Sequence, residues 1–593
     1  MTDLTLPGLT PPVIDRPRPG SRADRMLMPL SKDVLRQMAE QLGVCVRPLA
    51  IRRIDRETGV TEVIDIPCGA RLAAKCKPCA ERNRRLRIQQ IREGWHLADE
   101  PTVRPEKPSE DVLSLVRVRA HLEFERQALM YQAMTPDERA AQLADLDQAI
   151  TDIEEALSTC RVRGALTPDR DAKPRRVRST RRRKDTTPLP RLPVEPRTVG
   201  RTYTGRAGRV HRPSTLLTVT LDSYGPVHTA SRYRRGGIRP CECGAMHGER
   251  DPLLGTPLDP STYDYRRAAL DAIHFARVLD RFWQNLRRAA GWNIQYAGAV
   301  ELQRRLAPHT HYCVRGTLPR RLVRQVAAAT YHQVWWPHFD TPIYSVDRPP
   351  VWDADTGGYV DPATRRPLPT WAEALDALDH PDATPAYLVR LGRVDTRGIE
   401  AGTKDAERSI RYVTKYLTKD LTEQAAPHSD AQQAHFDRLH AELATLPCSP
   451  TCANWLLYGV QPDRPKPGLT PGRCTGKVHQ RRTLGFTGRR VLISRQWSGK
   501  TLADHRADNR DWIRTILTGA FADHETDPAT QPGDPDRYRF QLARPDDPDV
   551  PPLAHRLLRA IAERHRWREQ LNHARDRLTA VSATPPPAFP AAA

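Results

Sequence analysis

The stretch Glu301–Gly316, which reads ELQRRLAPHTHYCVRG, governs the interpretation of this chain of 593 residues. His309 and His311 lie two positions apart among residues typical of a β-strand. Side chains two apart in a strand project from the same face. Two imidazoles on one face can bind a divalent metal ion, and Glu301, on the preceding alternating run, could add a carboxylate oxygen. The pattern therefore predicts a metal site built from Glu301, His309 and His311.

The elements on either side of this stretch predict the fold class. A β-rich run at 214–225 is followed by a strongly amphipathic helix pattern at 263–290 and an alternating strand at 291–303. After the histidine strand, the pattern predicts a helix at 320–335, a strand at 388–399 and a last helix. This order predicts an α+β fold with a central antiparallel sheet and helices on one face, flanked by small zinc-binding modules and helical segments.

The last helix carries the motif RYVTKYLTKD, Arg411–Asp420. Tyr412 and Tyr416 are one helical turn apart on one face, and Lys415 and Lys419 each follow a tyrosine by three positions. A lysine ammonium can stabilise a phenolate or the charge that develops on a phosphate. With a metal ion to polarise the phosphate, the motif predicts tyrosines that attack phosphodiester bonds, one opening the strand and one closing it.

The charge of the chain favours a polyanionic partner. The formal net charge is +22 and the isoelectric point is about 9.8. The segment Lys173–Lys184, KPRRVRSTRRRK, is the densest basic cluster, and we expect it to grip DNA phosphates; the alternative is a linker that is merely basic. The predicted DNA-binding residues are Arg175, Arg176, Arg178, Arg181, Arg182, Arg183 and Lys184.

Two groups of cysteines predict structural Zn²⁺ sites. Each contains a short cysteine spacing with further cysteine or histidine donors nearby, and four protein ligands leave no open position for chemistry. The first set is Cys68, Cys76 and Cys79, completed by Cys45 or His96; the second is Cys448, Cys452, Cys474 and His479. The alternative for both sets is reduced thiols with no metal. Cys241, Cys243 and His247 form a weaker pattern that does not predict a site by itself.

Composition and short motifs predict where the protein acts and how the chain divides into parts. No run of 18 or more apolar residues and no signal-like N-terminus are present, so we expect a soluble, cytoplasmic protein without a membrane partner. The segment 489–501, RRVLISRQWSGKT, resembles half of a phosphate-binding loop, but Ser494 replaces its first glycine, and we exclude an ATPase. The predicted parts are a disordered 1–25, a zinc-binding module 26–100, a helical region 101–165, a basic linker 166–211, a catalytic domain 212–425, a second zinc or DNA-binding module 426–520, and a flexible tail with a helix, 521–593.

Three motifs together resemble the His-hydrophobic-His (HUH) endonuclease superfamily of replication and mobilisation proteins. They are LLTVTL at 216–221, ELQRRLAPHTHYCVRG and RYVTKYLTKD. The chain is most similar to the rolling-circle replication initiators of actinobacterial plasmids and integrative elements. Its tyrosine helix resembles the paired-tyrosine helix of the gene A proteins of isometric single-stranded DNA phages. One departure is Thr310, which stands between the histidines where the superfamily has a bulky apolar residue.

The resemblance implies a function and a set of partners. Glu301, His309 and His311 would hold Mg²⁺ or Mn²⁺, and Tyr412 or Tyr416 would become linked to the 5′ phosphate of nicked DNA; the form of the motif favours Tyr416 as the first to act. The protein would nick single-stranded or extruded origin DNA, leave a 3′ hydroxyl for a host polymerase, work with a host helicase and rejoin the strand after synthesis.

Two other interpretations stay open at this point. A relaxase or transposase of the same superfamily would share the chemistry but act at a transfer origin or at the end of an element. A zinc-containing DNA-binding repressor would have no enzymatic activity, and its affinity for DNA would survive the loss of both tyrosines.

Overall fold

The computed structural model describes residues 22, 30–97, 108–160, 162, 166, 187–190, 203–204, 208, 210–211, 213–233, 237–380, 382–400, 402–415, 417–418, 426–520 and 537–583. The predicted DNA-binding residues of the segment 173–184 lie outside these residues, and so do Tyr416 and Lys419. The chain divides into two compact units, one formed by 102–186 and the other by the rest of the chain.

The helices of the described residues are, in chain order, α1 (Ser31–Leu42), α2 (Lys77–His96), α3 (Glu110–Leu129), α4 (Pro136–Thr159), α5 (Tyr265–Ala290), α6 (Arg320–Ala328), α7 (Trp371–Asp376), α8 (Lys404–Thr414), α9 (Asp430–Thr445), α10 (Leu502–Ala520) and α11 (Leu553–Ala583). The strands are β1 (Leu49–Asp55), β2 (Thr61–Ile66), β3 (Tyr203–Thr204), β4 (Val210–His211), β5 (Pro213–Leu221), β6 (Ser231–Arg232), β7 (Ile238–Arg239), β8 (Tyr296–Leu302), β9 (Pro308–Arg315), β10 (Tyr331–Val334), β11 (Val351–Asp353), β12 (Gly358–Val360), β13 (Tyr387–Glu400), β14 (Val491–Ile493) and β15 (Tyr538–Leu542). Two short 3-10 helices span Ala453–Tyr458 and Lys477–His479.

A six-stranded sheet forms the centre of the larger unit. Its strand order is β10-β13-β5-β9-β8-β14, and all neighbouring pairs are antiparallel. The α+β class and the antiparallel sheet are therefore confirmed. The histidine strand β9 lies between β5 and β8 and pairs with both of them.

One face of the sheet packs on the long helix α5, as the amphipathic pattern predicted. The Asp264 side chain caps its first turn by accepting a hydrogen bond from the Arg267 amide, and Gly291, with φ of +80°, ends it. The apolar stripe of the helix, which includes Phe275 and Phe282, is buried against the sheet. Helices α6 and α9 join the same core. Each fully buried large apolar side chain contributes about 1.5–3 kcal/mol of transfer free energy.

The prediction of helices on one face only was wrong. Helices α2 and α8 pack on the second face, where Trp95 and Ile410 meet Ala297 and Cys313. The reason lies in the alternation of the strands. On this face β8 and β9 carry apolar residues toward one end and the polar Glu301, with the histidines, toward the other. Burial of the apolar end requires helices, and these helices border the polar end.

Two other predictions changed when the chain folded. The helix predicted to reach residue 335 ends at Ala328, because Tyr331–Val334 pairs with β13 as an edge strand. The region after residue 523 was predicted to be flexible apart from its last helix, but Tyr538–Leu542 adds a third strand to the predicted hairpin β1–β2. The last helix itself is confirmed as α11.

The smaller unit is an antiparallel pair of helices, α3 and α4, as predicted for this region. Thr135 and Glu138 form a capping box at the start of α4, in which each side chain bonds the other residue's backbone amide. Among the described residues, no helix has both the length and the apolar composition that crossing a membrane requires.

Candidate active site

The predicted metal ligands meet on the second face of the sheet. Register places His309 opposite Glu301 on β8, and His311 follows two residues later on the same face of β9. One ligand atom from each of the three side chains lies within 4.8 Å of the others. All three residues are buried. The structure therefore brings together the three residues that the sequence pattern predicted as ligands.

Both imidazoles are oriented by hydrogen bonds through Nδ1. His309 Nδ1 lies 3.1 Å from the backbone carbonyl of Glu301, and because a carbonyl only accepts, this nitrogen carries the hydrogen. His311 Nδ1 lies 2.9 Å from the hydroxyl of Thr218, its register partner on β5. The two Nε2 atoms are 2.9 Å apart. Burial lowers the pKa of His309 to about 3 and that of His311 to about 4, so both rings are neutral and can direct Nε2 lone pairs to one point.

Glu301 is the third component of the cluster. Its Oε1 atom is buried and has no hydrogen-bond partner among the described residues. Burial raises the pKa of this carboxyl to about 7, against the positive charges of Arg490 and Lys415, which lower it. A buried carboxylate oxygen without a partner, next to two imidazole lone pairs, fits a divalent cation, which would satisfy all three donors.

Tyr412 lies directly beside these ligands. It is on α8, which Ala406, Ile410 and Val413 anchor to the sheet. Its hydroxyl is 3.1 Å from His311 Nε2, and the two rings are in edge contact with centroids 4.8 Å apart. The side chain is 46% exposed, so its oxygen is accessible from solvent. Lys415 follows at the end of the helix and is exposed.

A cleft of about 480 Å³ lies beside Tyr412 and reaches His311, one of the three candidate metal ligands. Thr218 and His311 form part of its floor, and Asp395, Arg397 and Arg408 line its sides. Asp405 accepts a hydrogen bond from Arg397 at 3.1 Å and forms an ion pair with Arg408 at 3.4 Å. Sequence reasoning missed Thr218 and both arginines. The alternation of LLTVTL and of residues 388–399 puts Thr218 and Arg397 on the same face as the histidines, whereas Arg408 lies on α8.

A family model described as "Replication initiator protein, pSAM2" (RepSA) matches residues 31–208 and 199–563, which is most of the chain. The chain belongs to the RepSA family. The resemblance to a family of replication initiators, inferred from the sequence, is thereby confirmed. No solved structure matches.

Among the curated relatives of this RepSA-family chain is a replication initiator protein of Streptomyces ambofaciens, 32% identical over 215 residues. The alignment covers 35% of this chain and 42% of the relative, so the chain spans about two fifths of the relative's length.

The RepSA-family chain also gathers both predicted cysteine sets. Cys45 joins the first set, whose four sulfurs lie within 4.8 Å of one another, and the sulfurs of Cys45 and Cys76 are 3.8 Å apart. In the second set, composed of Cys448, Cys452, Cys474 and His479, the ligand atoms are equally close. His479 donates Nδ1–H to the carbonyl of Leu443 at 2.6 Å, which leaves its Nε2 facing the thiols.

Proposed function

We propose that this chain is a rolling-circle replication initiator of the HUH endonuclease type, which nicks one strand of a plasmid or integrative-element origin through a tyrosine and later rejoins it. The observation that carries the proposal is the contact between the Tyr412 hydroxyl and His311 Nε2. Tyr412 and His311, one of the three candidate ligands for a charge-stabilising ion, line the same cleft in a chain whose family is that of replication initiators.

Glu301, His309 and His311 would hold the catalytic Mg²⁺ or Mn²⁺. When bound there, the ion would withdraw negative charge from the scissile phosphate. The protein's own contribution is orientation: the Glu301 carbonyl and the Thr218 hydroxyl fix the two imidazole rings before any metal arrives.

Tyr412 would attack the phosphorus atom. The phenol gives up its proton to solvent and a bond forms from its oxygen to phosphorus, while the bond from phosphorus to the 3′ oxygen breaks. The released 3′ oxygen takes up a proton and becomes the 3′ hydroxyl, so no net proton is gained or lost. Lys415 would stabilise the phenolate that forms. Since the 5′-phosphotyrosine conserves the phosphodiester energy, the reverse reaction rejoins the strand. Tyr416, with Lys419, would supply the other nucleophile, and the expectation that Tyr416 acts first stays a prediction.

Origin DNA would enter the cleft beside Tyr412. Arg397 donates a hydrogen bond to Asp405 and Arg408 forms an ion pair with it, and both could turn to phosphates instead. The basic arm Lys173–Lys184 would add contacts independent of sequence, and the two cysteine sets would hold structural Zn²⁺. We retain the division into a nicking domain, 212–425, and zinc modules at 26–100 and 426–520. A host polymerase and helicase in the cytoplasm would complete the reaction.

A covalent-adduct assay tests this function. The full-length protein is incubated with Mn²⁺ and labelled single-stranded origin DNA and then run on denaturing gels, with Tyr412→Phe, Tyr416→Phe and the double variant in parallel. We expect an adduct with the wild type and none with the double variant.

The other interpretations give different results in the same assay. A repressor would bind origin DNA and form no adduct with any protein, including the wild type. A relaxase or transposase would form the adduct on DNA of a transfer origin or an element end and not on the replication origin.

A further inference from the structure

We propose that His228, Cys241, Cys243 and His247 form another structural zinc site, which fixes the insertion between β5 and α5 against the turn that joins β8 to β9. The proposal does not depend on nicking activity. It rests on four donors that the fold brings together, of which His228 lies far enough from the others in sequence to be missed by spacing rules.

The four donor atoms converge on one point. Each side chain offers an atom within 4.8 Å of all the others. His247 Nε2 is 3.1 Å from His228 Nδ1 and 3.2 Å from the sulfur of Cys243. Zinc bonds of about 2.0–2.3 Å in a tetrahedron separate ligand atoms by about 3.3–3.8 Å, so these two pairs of donor atoms need to open by only a few tenths of an ångström.

Asp251 orients His247 for this role. Its carboxylate lies 2.7 Å from His247 Nδ1 and accepts the hydrogen of that nitrogen, so the Nε2 lone pair points at the other three donors. A carboxylate behind a ligand histidine is a common support of zinc sites, because it fixes the ring and raises its basicity.

The backbone around the two cysteines forms a tight turn. Gly244, with φ of +87°, donates its amide to the Cys241 carbonyl at 2.8 Å, and the Cys241 amide donates to Ala245 at 2.9 Å. This tight turn brings the side chains of Cys241 and Cys243 to the same cluster. Two thiols and two imidazoles favour Zn²⁺ over Mg²⁺ or Ca²⁺, which prefer oxygen ligands, and a complete tetrahedron leaves no catalytic position.

The site is joined to the β8–β9 turn by direct contacts. His228 exchanges backbone hydrogen bonds with Gly255 and Thr256, both at 2.9 Å. Gly255 approaches the turn so closely that an added Cβ would lie 2.5 Å from the carbonyl carbon of Arg304. Arg304, in turn, donates to the carbonyl of Glu249 at 2.9 Å. Arg304 lies in the turn between the strand that carries Glu301 and the strand that carries the histidines. The zinc would therefore stabilise the turn that joins the two strands of the candidate active site.

Thiol alkylation of the wild-type protein tests the site without a mutation. The folded, zinc-loaded chain is treated with N-ethylmaleimide before and after a zinc chelator, and peptides are mapped by mass spectrometry. Cys243 and Cys160 are both exposed, but only Cys243 lies in the proposed site. We expect Cys160 to react in both conditions and Cys243 to react at least tenfold faster after chelation. Equal, fast reaction of both thiols before chelation would overturn the proposal.

Zinc content of variants provides the second test. We expect Cys243→Ser to contain one zinc fewer per chain than the wild type, Cys160→Ser to lose none, and His247→Cys, which keeps four ligands, to retain the full number. A folded Cys243→Ser protein with unchanged zinc content would contradict the site. Adduct formation is measured separately, so a failure of the proposed nicking activity would not be confused with a failure here.

Discussion

The phenol oxygen of Tyr412 and Nε2 of His311 are 3.1 Å apart, although 101 residues separate them in the chain. The contact arises because α8 packs on the sheet face from which the histidines of β9 project, so that Tyr412 lies beside His311. A predicted nucleophile thus lies at a predicted metal ligand, and this relationship gives the first prediction.

Tryptic mapping of the DNA adduct is expected to find DNA on the peptide 412–415. Arg411, Lys415 and Lys419 place each tyrosine of the pair in its own tetrapeptide, YVTK or YLTK, and the two differ by one methylene. Tyr412→Phe should lower the total adduct while changing the free energy of unfolding by less than about 1 kcal/mol, since the hydrogen bond to His311 is only partly buried.

Tyr131→Phe, at an exposed tyrosine of the smaller unit, is the matched control and should leave the adduct unchanged. If DNA is found on the peptide 416–419 and never on 412–415, Tyr412 is not a nucleophile, and its contact with His311 has another role.

Thr218→Val is expected to weaken Mn²⁺ binding about 10–100-fold, the usual effect of losing a hydrogen bond behind a metal ligand. The Thr218 hydroxyl is the partner of His311 Nδ1, at 2.9 Å, and valine keeps the shape but not the bond. Titration of Mn²⁺ by calorimetry measures the affinity. At saturating Mn²⁺ the variant should recover most of its adduct yield, because Thr218 positions a ligand and does not touch the phosphate.

Two variants separate this role from a general effect on the strand. Thr218→Ser should retain the affinity. Thr220→Val removes a hydroxyl from the same face of β5, but that hydroxyl donates to the Arg393 carbonyl at 2.7 Å, so Mn²⁺ affinity should hold. Equal losses in Thr218→Val and Thr220→Val would show that strand packing, and not the orientation of His311, sets the affinity.

The elements predicted well were those whose signal is local. The alternation around His309 and His311 and the apolar stripe of α5 are properties of short segments, and a strand or helix must follow them. Glu301 could be found because β8 precedes β9 directly in the chain. The same holds for Cys76 and Cys79, whose spacing already fixes their separation.

The parts that could not be predicted depend on contacts between distant segments. Thr218 meets His311 only because β5 pairs with β9 after an intervening helix. His228 joins Cys241 through a loop whose path no periodic pattern indicates. Likewise β15 pairs with β1 from almost 500 residues away. Such pairings follow from competition among edge strands and packing of the whole chain, which a window of sequence does not contain.

Asp271 is expected to make the fold less stable as the pH rises from 4 to 8. Burial raises the pKa of this carboxyl to about 6, although the hydroxyls of Tyr224 and Tyr387 donate to it at 3.0 and 2.9 Å. Between its ordinary pKa and 6, the folded chain binds a proton that the unfolded chain does not. Its stabilising contribution is therefore full only below the ordinary pKa and is lost as the pH passes 6, so that about 2 kcal/mol is lost between pH 4 and 8.

Chemical unfolding of the wild type and of Asp271→Asn at pH 4 and 8 measures this effect. The free energy of unfolding of the wild type should fall relative to that of the variant by about 2 kcal/mol over the range. Asp222→Asn, at a side chain that is 61% exposed and paired with Arg267, should show little relative change. A constant difference between wild type and Asp271→Asn at both pH values would contradict the buried, proton-binding state.

Gly94→Ala is expected to lower the free energy of unfolding by about 1–3 kcal/mol, the usual cost of overpacking a core. Gly94 lies in α2, where helix propensity alone favours alanine by about 1 kcal/mol, so the predicted sign opposes the local preference. The reason is Trp497, which is fully buried against the helix: an added Cβ would overlap its indole and lie 2.5 Å from its carbonyl oxygen.

The site of this overlap is where three distant segments meet. Trp497 donates Nε1–H to the Ile91 carbonyl at 3.2 Å, and Arg315, the last residue of the histidine strand, donates to the carbonyls of Gly94 and Trp497. Gly398→Ala, where nothing lies within 4 Å of the new Cβ, is the control and should be nearly neutral. Thermal unfolding compares the two variants. If Gly94→Ala is as stable as the wild type, α2 does not pack on Trp497 as described, and the N-terminal module does not brace the end of β9.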